Sequence, residues 1–458
     1  MTTIILGLDG ASVDVISRMC SLTSLPNFER LLQPGQFTAL KSVYPYLTGP
    51  AWASLFTGVN PGKHGIFDQV RRMGSLHVPS NYTSISLPFL WDYASWAGKS
   101  VLCLGVPFMY PAPYVNGVYV TGRFCPKVSS YPPHLESKFD LSGYDYSVFV
   151  RLRSNRTLQS TRGQVYRIIL ESLQKRINLS IQLFDIKQWD LAIMVDSLPD
   201  DILHIAYDDE RILCKIFKLM DEWLGQIMSR MKKGDTLIVV SDHGFTRLRQ
   251  VFYLRRWLWA KGYLHPNDSL IKLSLLRLIY KSTGILGLKP NALPLRRIRK
   301  LRSTDQKGHS SRNDVEPVGF SFPTAWIRLS APYQNAQHVS SKLKAELSQL
   351  IKLGILNRVL DSHEVYWGDH ELNSPGQFII EATEGTVIDT RAIFKKSFLQ
   401  KSELVGRGTH SLYGILAVHG LPVRLPDEAT LYDVTPFCLD LLGIVIPSNL
   451  DGKTITRK

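Results

Sequence analysis

The chain has 458 residues, of which 44% are hydrophobic, so it is long enough for one large α/β core with inserted elements or for two domains. No run approaches roughly 20 consecutive apolar residues, which argues against a transmembrane helix. The formal net charge is +15, but no aromatic platform or reader motif accompanies the basic residues, which argues against a nucleic-acid-binding protein.

The cysteine pattern bears on the cellular compartment. Five cysteines make an odd count without CxxC spacing, so we expect reduced and mostly buried thiols. The N-terminus enters a predicted strand almost at once, without the basic segment and apolar run of a signal peptide. Together these features predict a cytoplasmic protein. The cysteines are Cys20, Cys103, Cys125, Cys214 and Cys438.

The first predicted element is a buried parallel strand near residues 3–8, which is followed directly by Asp9. An aspartate at the carboxyl end of a strand can hold a cation, or it can cap a helix. Further along, a helix is predicted to begin near Pro50, because proline is favoured at the first helical position. Thr48 then lies just outside the positive end of that helix, where it could attack a phosphate or only cap the helix.

Two more strands are predicted near residues 101–105 and 191–195. A short turn after the second leads into a predicted helix that carries Asp200 and His204. These two residues are four positions apart and therefore share one helix face. They form half of a metal site, or they belong to a solvated face.

A further predicted strand near residues 236–240 delivers Asp242 and His243 to its carboxyl end. Adjacent aspartate and histidine side chains can bind one ion or two neighbouring ions. His410 follows a glycine-rich loop and precedes a predicted strand near residues 414–418. It closes the second half of a metal site, or it is a structural loop histidine.

These candidate ligands form a set with a consistent chemistry. Three carboxylates and three imidazoles, without a thiolate, are typical of a zinc-like site with oxygen and nitrogen ligands. The six residues are Asp9, Asp200, His204, Asp242, His243 and His410.

The alternation of strands and helices predicts an α/β fold with a mostly parallel sheet. Helices are expected near residues 163–186 and 209–232. We expect a single catalytic domain over residues 1–458. Residues of about 245–335 and 355–405 have an irregular pattern, and they are interpreted as inserted cap elements that shape specificity.

Part of the net charge is local. Five basic residues follow a plausible cationic amphipathic helix, so residues 270–302 could contact an anionic membrane surface. The segment could equally be a solvated connector, and the excess charge could attract a polyanionic substrate. The basic residues are Arg296, Arg297, Arg299, Lys300 and Arg302.

The stretch VYPYLTGPAWASLFTGVNPGKHGIFD around Thr48 resembles the nucleophile region of the type I phosphodiesterase/nucleotide pyrophosphatase family, within the alkaline phosphatase superfamily. The resemblance extends over nearly the whole chain, in the same order. LWDYASWAGKSVLCLGVPFMYP with NGVYVTGRFCP is similar to a stretch of microbial members, and LYDVTPFCLDLLG is similar to the C-terminal pattern of the superfamily. The resemblance implies an alkaline-phosphatase-like core and a hydrolase of small phosphate esters.

The resemblance also implies roles for the candidate residues. Thr48 would be the nucleophile, activated by two divalent ions, with zinc favoured and manganese or iron as alternatives. Gln69 would reach a phosphate oxygen where nucleotide pyrophosphatases have asparagine. One ion would be bound by Asp9, Thr48, Asp242 and His243, and the other by Asp200, His204 and His410.

Several related functions stay open. A sulfatase is disfavoured, because residues 48–52 keep the proline of the C/S-x-P-x-R frame but lack its cysteine and its arginine. A phosphonate hydrolase or a phosphotransferase of the same superfamily is an alternative. A catalytically silent member that binds anions or membranes is another. The sequence indicates neither the leaving group nor the oligomeric state.

Overall fold

The computed structural model describes residues 1–73, 76–146, 162–264, 314–319, 322–330, 333–404 and 406–457. The predicted membrane-contact segment 270–302 lies outside these residues, as do parts of the two predicted cap elements. All five cysteines are described, and their thiols are unpaired. Within the described ranges, every helix is too short or too polar to span a bilayer.

The strands and helices are numbered here in chain order. The strands are β1 (Thr3–Leu8), β2 (Phe37–Lys41), β3 (Val70–Met73), β4 (Leu76–Pro79), β5 (Val101–Leu104), β6 (Gly117–Val120), β7 (Ser130–Tyr131), β8 (Leu191–Asp196), β9 (Thr236–Val240), β10 (Gly244–Arg247), β11 (Gln250–Tyr253), β12 (Val315–Val318), β13 (Thr324–Leu329), β14 (Leu356–Asp361), β15 (Phe378–Ala382), β16 (Thr386–Asp389), β17 (Leu399–Lys401), β18 (Gly408–Ser411), β19 (Tyr413–His419), β20 (Val423–Arg424), β21 (Ala429–Thr430) and β22 (Thr456–Arg457). The helices are α1 (Val13–Leu22), α2 (Pro26–Leu31), α3 (Thr48–Thr57), α4 (Pro61–His64), α5 (Leu90–Trp96), α6 (Arg162–Phe184), α7 (Leu198–Ala206), α8 (Glu210–Arg230), α9 (Leu254–Ala260), α10 (Tyr333–Lys352), α11 (Ser362–Val365) and α12 (Val434–Leu441).

A large central sheet runs in the order β21-β2-β19-β9-β1-β8-β5-β6-β7. Its middle strands, from β9 to β6, are parallel. Gly7 of β1 pairs with Val195 on one side and with Val240 on the other. The carboxyl ends of three adjacent strands are therefore level, and the residues that follow them meet at one edge of the sheet.

Both faces of the central sheet are buried, because side chains alternate along each strand. Ile4 packs into a core shared with α1, α6 and α8. Ile5 faces the opposite core, which contains Trp52 of α3, Trp91 of α5 and Phe437 of α12. A mostly parallel sheet between two layers of helices confirms the predicted fold class.

The predicted elements of the central sheet are present, with two differences in detail. The last predicted strand, β19, lies antiparallel to β9. Helix α3 begins at Thr48 and not near Pro50, because the extended residue Leu47 precedes the first turn. Pro50 is tolerated within that turn, since the first backbone N–H groups of a helix have no intrahelical partner.

A second, antiparallel sheet runs in the order β12-β13-β15-β14 and has a core of its own. Helix α10 contributes Leu343 and Leu347 to that core, and α9 contributes Trp257. This second sheet includes residues from both predicted cap elements, and α10 lies largely between the two predicted ranges. The division of the chain into a catalytic domain and cap elements stays a prediction.

Candidate active site

Six candidate ligands from distant parts of the chain meet at the carboxyl edge of the central sheet. Asp9 follows β1, Asp242 and His243 follow β9, and α7 begins two residues after β8. His410 reaches the same place because β18 pairs antiparallel with β10, which sets His410 opposite Phe245. Parallel strands and one antiparallel pairing between strands far apart in the sequence therefore assemble the site.

The first cluster consists of Asp9, Asp242 and His243, which are fully buried. One ligand atom of each lies within 4.8 Å of the others. The Nε2 atom of His243 is 3.2 Å from Asp242 Oδ2 and 3.7 Å from Asp9 Oδ1. The backbone N–H of Gly10 donates to Asp242 Oδ1 over 3.1 Å and fixes that carboxylate.

The second cluster forms around Asp200, whose Oδ1 atom is 3.2 Å from His204 Nε2 and 3.1 Å from His410 Nε2. The two histidine Nε2 atoms are 3.0 Å apart. The Nδ1 atom of His410 lies 2.9 Å from the carbonyl oxygen of Tyr46. When Nδ1 donates to that carbonyl, Nε2 keeps its lone pair for a metal ion.

His243 links the two clusters. Its ring stacks on that of His410 with centroids 3.7 Å apart, and Asp200, His243 and His410 also offer ligand atoms within 4.8 Å of one another. The structure therefore contains two adjacent groups of ligands that share one imidazole. The assignment of each residue to one particular ion stays a prediction.

Thr48 is 1% exposed, and its hydroxyl has no hydrogen-bond partner among the described residues. Residues on both sides of Thr48 contact the ligand clusters or the strand that leads to them. Two residues before it, the carbonyl of Tyr46 accepts from His410, and one turn after it Trp52 packs against Gly7 of β1. The hydroxyl does not cap α3, so the capping interpretation of Thr48 is wrong.

Several buried polar atoms at this edge have no hydrogen-bond partner in the described part of the chain. Such atoms are rare in folded proteins, because each costs about 1–3 kcal/mol. Carboxylate, imidazole and hydroxyl atoms that converge without donors fit divalent cations, so the residues present are suited to metal binding. The atoms are Asp9 Oδ1, Asp9 Oδ2, Asp242 Oδ2, His243 Nε2 and Thr48 Oγ1.

Burial is the main cause of the shifted pKa values of these groups. Burial, reinforced by the charges of Asp242 and Asp200, raises the pKa of Asp9 well above its usual range. Burial and the charge of Asp200 raise the pKa of Asp242 to about 7. Burial lowers the pKa of His243, and the neighbouring His410 lowers it further, which favours the neutral imidazole that a metal requires.

Asp200 behaves differently. Burial alone would raise its pKa, but its neighbours hold that pKa well below the usual range. They act through the charge and hydrogen bond of His204, the hydrogen bond of His410 and the charge of Arg123. Arg123 donates from Nη1 to Asp200 Oδ2 over 2.8 Å and from Nη2 to Asp201. Asp200 is therefore ionised beside a buried guanidinium.

Arg123 is the site residue to which the sequence analysis gave no role. It is 7% exposed and follows the parallel strand β6 by three residues. That position at the carboxyl edge of the sheet is the signal that could have indicated it. A pattern of metal ligands does not include an arginine, because the guanidinium group has no acceptor atom.

Aromatic rings and Gln69 border the clusters. The rings of Phe245 and His204 have centroids 4.8 Å apart. The ring of Phe322, which lies between β12 and β13, has its centroid 4.9 Å from that of His410. A Cβ atom at Gly49 would lie 3.5 Å from the Cα atom of Gln69. Gln69 is thus next to the start of α3, although its role toward substrate stays a prediction.

Comparisons with known proteins identify the family of this chain. Residues 3–408 match the protein family that is described as "Type I phosphodiesterase / nucleotide pyrophosphatase". No curated protein matches the sequence.

Solved structures with the same fold include murine ectonucleotide pyrophosphatase/phosphodiesterase 5, at 16% identity over 98% of each chain and a TM-score of 0.56. The human protein of that name is 14% identical over 99% of this chain and 97% of its own, with a TM-score of 0.53. Phosphonoacetate hydrolase from Sinorhizobium meliloti 1021, in complex with phosphonoformate, is 14% identical over 96% of each chain, with a TM-score of 0.58. The family match over most of the length and the shared fold lead to one conclusion: the chain belongs to the type I phosphodiesterase/nucleotide pyrophosphatase family and is a phosphoric ester hydrolase.

Proposed function

We propose that this enzyme hydrolyses phosphodiesters through a covalent intermediate on Thr48, with two divalent metal ions. The observation that carries the proposal is the set of unpartnered buried atoms of Asp9, Asp242, His243 and Thr48 beside the Asp200 cluster. A nucleophilic hydroxyl and two ligand groups in one buried place are what a two-metal transfer of phosphate requires.

Carboxylate and imidazole ligands favour zinc, with manganese or iron as alternatives. When bound, the ions would lower the pKa of the Thr48 hydroxyl and offset negative charge on the phosphate oxygens. The ions would be held by six side chains of the chain, namely those of Asp9, Asp242, His243, Asp200, His204 and His410.

The chemistry proceeds in two displacements at phosphorus. The Thr48 oxygen forms a bond to phosphorus as the bond to the leaving-group oxygen breaks, and the leaving group takes up a proton. Water then attacks the phosphothreonine ester, releases Thr48 and regenerates its hydroxyl. The N-terminus of α3, which begins at Thr48, adds positive potential where the phosphate would lie.

Gln69 is proposed to donate its side-chain amide to a phosphate oxygen. It lies beside Gly49, the residue after the proposed nucleophile. An amide donor can stabilise a non-bridging oxygen without adding charge. A glutamine is one methylene longer than the asparagine of nucleotide pyrophosphatases, so the phosphate is expected to be held in a slightly different position.

The neighbours support a threonine nucleophile and a small anionic substrate. One structure of murine ectonucleotide pyrophosphatase/phosphodiesterase 5 is described as an inactive threonine-to-alanine variant in complex with AMP. Others show phosphonoacetate hydrolase with phosphonoformate or phosphonoacetate. The likeness to the latter makes phosphonate hydrolysis the second candidate function. Cytoplasmic location stays a prediction that depends on the cysteine pattern.

The experiment compares three substrates at equal concentration with zinc added: an aryl phosphodiester, the matching aryl phosphomonoester and phosphonoacetate. We expect kcat/KM to be highest for the diester and turnover to vanish in Thr48→Ala, the matched control. A higher kcat/KM for the monoester or for phosphonoacetate would contradict the phosphodiesterase assignment. A protein that retains no divalent ions and turns over none of the three would instead be the catalytically silent member.

A further inference from the structure

Glu381 is a buried carboxylate in the second sheet, far along the chain from every candidate ligand except His410. It lies in β15, between β13 and β14, and is 4% exposed. A buried carboxylate is retained only where several donors compensate for the loss of water. Its partners therefore indicate what this residue does.

The partners of Glu381 come from two places. Asn357 of β14 donates its Nδ2 to Oε2 over 3.1 Å, and Arg358 lies 3.5 Å from the same oxygen. The remaining contacts come from tyrosines that precede the proposed nucleophile. Tyr44 donates its hydroxyl to Oε2 over 3.1 Å. Burial, reinforced by the negative charge of the nearby Glu381, raises the pKa of the Tyr46 phenol well above its usual range.

The segment of Tyr44 to Tyr46 also contacts the catalytic site directly. The carbonyl oxygen of Tyr46 accepts from His410 Nδ1 over 2.9 Å, and Thr48 follows two residues later. The connection between β14 and β15 holds this segment at another point, because the hydroxyl of Tyr366, the residue after α11, donates to the carbonyl of Tyr44 over 2.9 Å. The segment is thus fixed between Glu381 and Tyr366 on one side and a candidate metal-site histidine on the other.

We propose that Glu381 is a positioning residue: by holding the hydroxyl of Tyr44, it fixes the segment from Tyr44 to Tyr46, whose last carbonyl orients His410 and whose backbone leads into Thr48. This inference rests on the proposed function and adds a residue of the second sheet to it. A carboxylate suits this task because each of its oxygens accepts more than one hydrogen bond. Glutamine at the same position keeps one acceptor oxygen and is expected to retain part of the effect.

The test measures the zinc affinity of the full chain by competition with a chelator, together with kcat and KM on the aryl diester. The variants are Glu381→Ala, Glu381→Gln and Tyr44→Phe. Asn357→Ala is the matched control, because it removes a hydrogen bond to the same carboxylate from an exposed residue that does not touch the nucleophile segment. Melting temperature monitors folding.

We expect Glu381→Ala to weaken binding of one zinc ion and to lower kcat by about 10–100-fold, which is typical for the loss of a group that orients a metal ligand. KM should stay within about threefold, and Glu381→Gln should recover part of the loss. Combining Glu381→Ala with Tyr44→Phe should cost little more than Glu381→Ala alone, because both changes act on one chain of contacts.

The proposal is overturned if Glu381→Ala and Tyr44→Phe leave zinc affinity and kcat within about twofold of Asn357→Ala. Should Glu381→Ala fail to fold, Tyr44→Phe carries the test, since it removes a single hydroxyl. The zinc measurement needs no turnover, so an active Thr48→Ala would refute the nucleophile without affecting this result. A chain that binds no zinc, manganese or iron would refute both the proposed function and this inference.

Discussion

Asp9 and Asp242 carry the strongest physical argument at the residue scale. Both are fully buried at one end of the sheet, and three of their four carboxylate oxygens have no hydrogen-bond donor among the described residues. Ionising both carboxylates without a cation between them would cost a large free energy. Metal binding and folding are therefore expected to be coupled in this protein.

The raised pKa of Asp242 predicts how the stability of the metal-free protein depends on pH. In the folded state this carboxyl keeps its proton up to about pH 7, whereas its ordinary pKa is 3.8. The folded state therefore binds more protons than the unfolded state within that window, and raising the pH from about 4 to about 7 destabilises it. Thermal unfolding of metal-free wild type should show this loss, and Asp242→Asn should show less of it. Parallel pH profiles for the two proteins would contradict the prediction.

Replacing Thr48 by alanine should abolish turnover of the aryl diester while leaving folding and most metal binding intact. The expected loss is on the order of 10³-fold or more, by analogy with other deletions of a nucleophile. Among the described residues, its hydroxyl makes no hydrogen bond that the fold would lose. Initial rates, metal content and melting temperature are compared with those of wild type. Near-full activity in the variant would refute the nucleophile assignment.

At the scale of elements, the strand ends were predictable because each depends on local sequence. An apolar run followed by Asp9 or by Asp242 identifies a strand and the residue that leaves it. The position of His410 was not predictable in the same way, since it depends on the pairing of β18 with β10, more than 150 residues earlier in the chain. The contacts of Glu381 with the nucleophile segment depend on how the second sheet packs next to the central one. The hydrophobic periodicity of a sequence does not indicate such packing.

The placement of ligands on different elements predicts different effects on the two ions. His204 lies on α7, and its Nε2 atom is close to Asp200 and His410, whereas His243, at the β9–β10 turn, belongs to both groups of ligand atoms. His204→Ala should therefore lower the occupancy of one ion and leave the other largely in place, as should His410→Ala. His243→Ala should weaken both. Metal analysis of the purified variants checks this, and equal loss of both ions in His204→Ala would show that the two groups are not separate sites.

At the scale of the whole molecule, the parallel sheet and its family were predictable from the order of motifs along the chain. Thr48, Asp200 and Asp242 occur in the sequence order that the family has, so one resemblance fixed both the fold and the candidate site. The second sheet was anticipated only as irregular cap elements. β13 pairs with β15 across a long intervening segment, and β14, with the sequence LNRVLD, does not alternate regularly between apolar and polar residues.

The basic segment gives a prediction for the whole molecule, although it lies outside the described residues. Neutralising its five residues should reduce co-sedimentation with anionic vesicles, because each contributes about 1 kcal/mol near such a surface. Binding should also weaken as salt rises, since screening acts within roughly 8 Å at physiological ionic strength. The rate on a small aryl diester should stay within about twofold. A large fall in that rate would place the segment at the active site, and unchanged vesicle binding would make it a solvated connector. The residues are Arg296, Arg297, Arg299, Lys300 and Arg302.

The covalent route through Thr48 is tested most directly by the stereochemical course of hydrolysis. Each in-line displacement inverts the configuration at phosphorus, so two successive displacements restore it. The measurement uses a phosphorothioate diester of known configuration, hydrolysed in isotopically labelled water with zinc added, and determines the configuration of the product. We predict overall retention. Overall inversion would show that water attacks the substrate directly, and it would contradict the role of Thr48 as nucleophile.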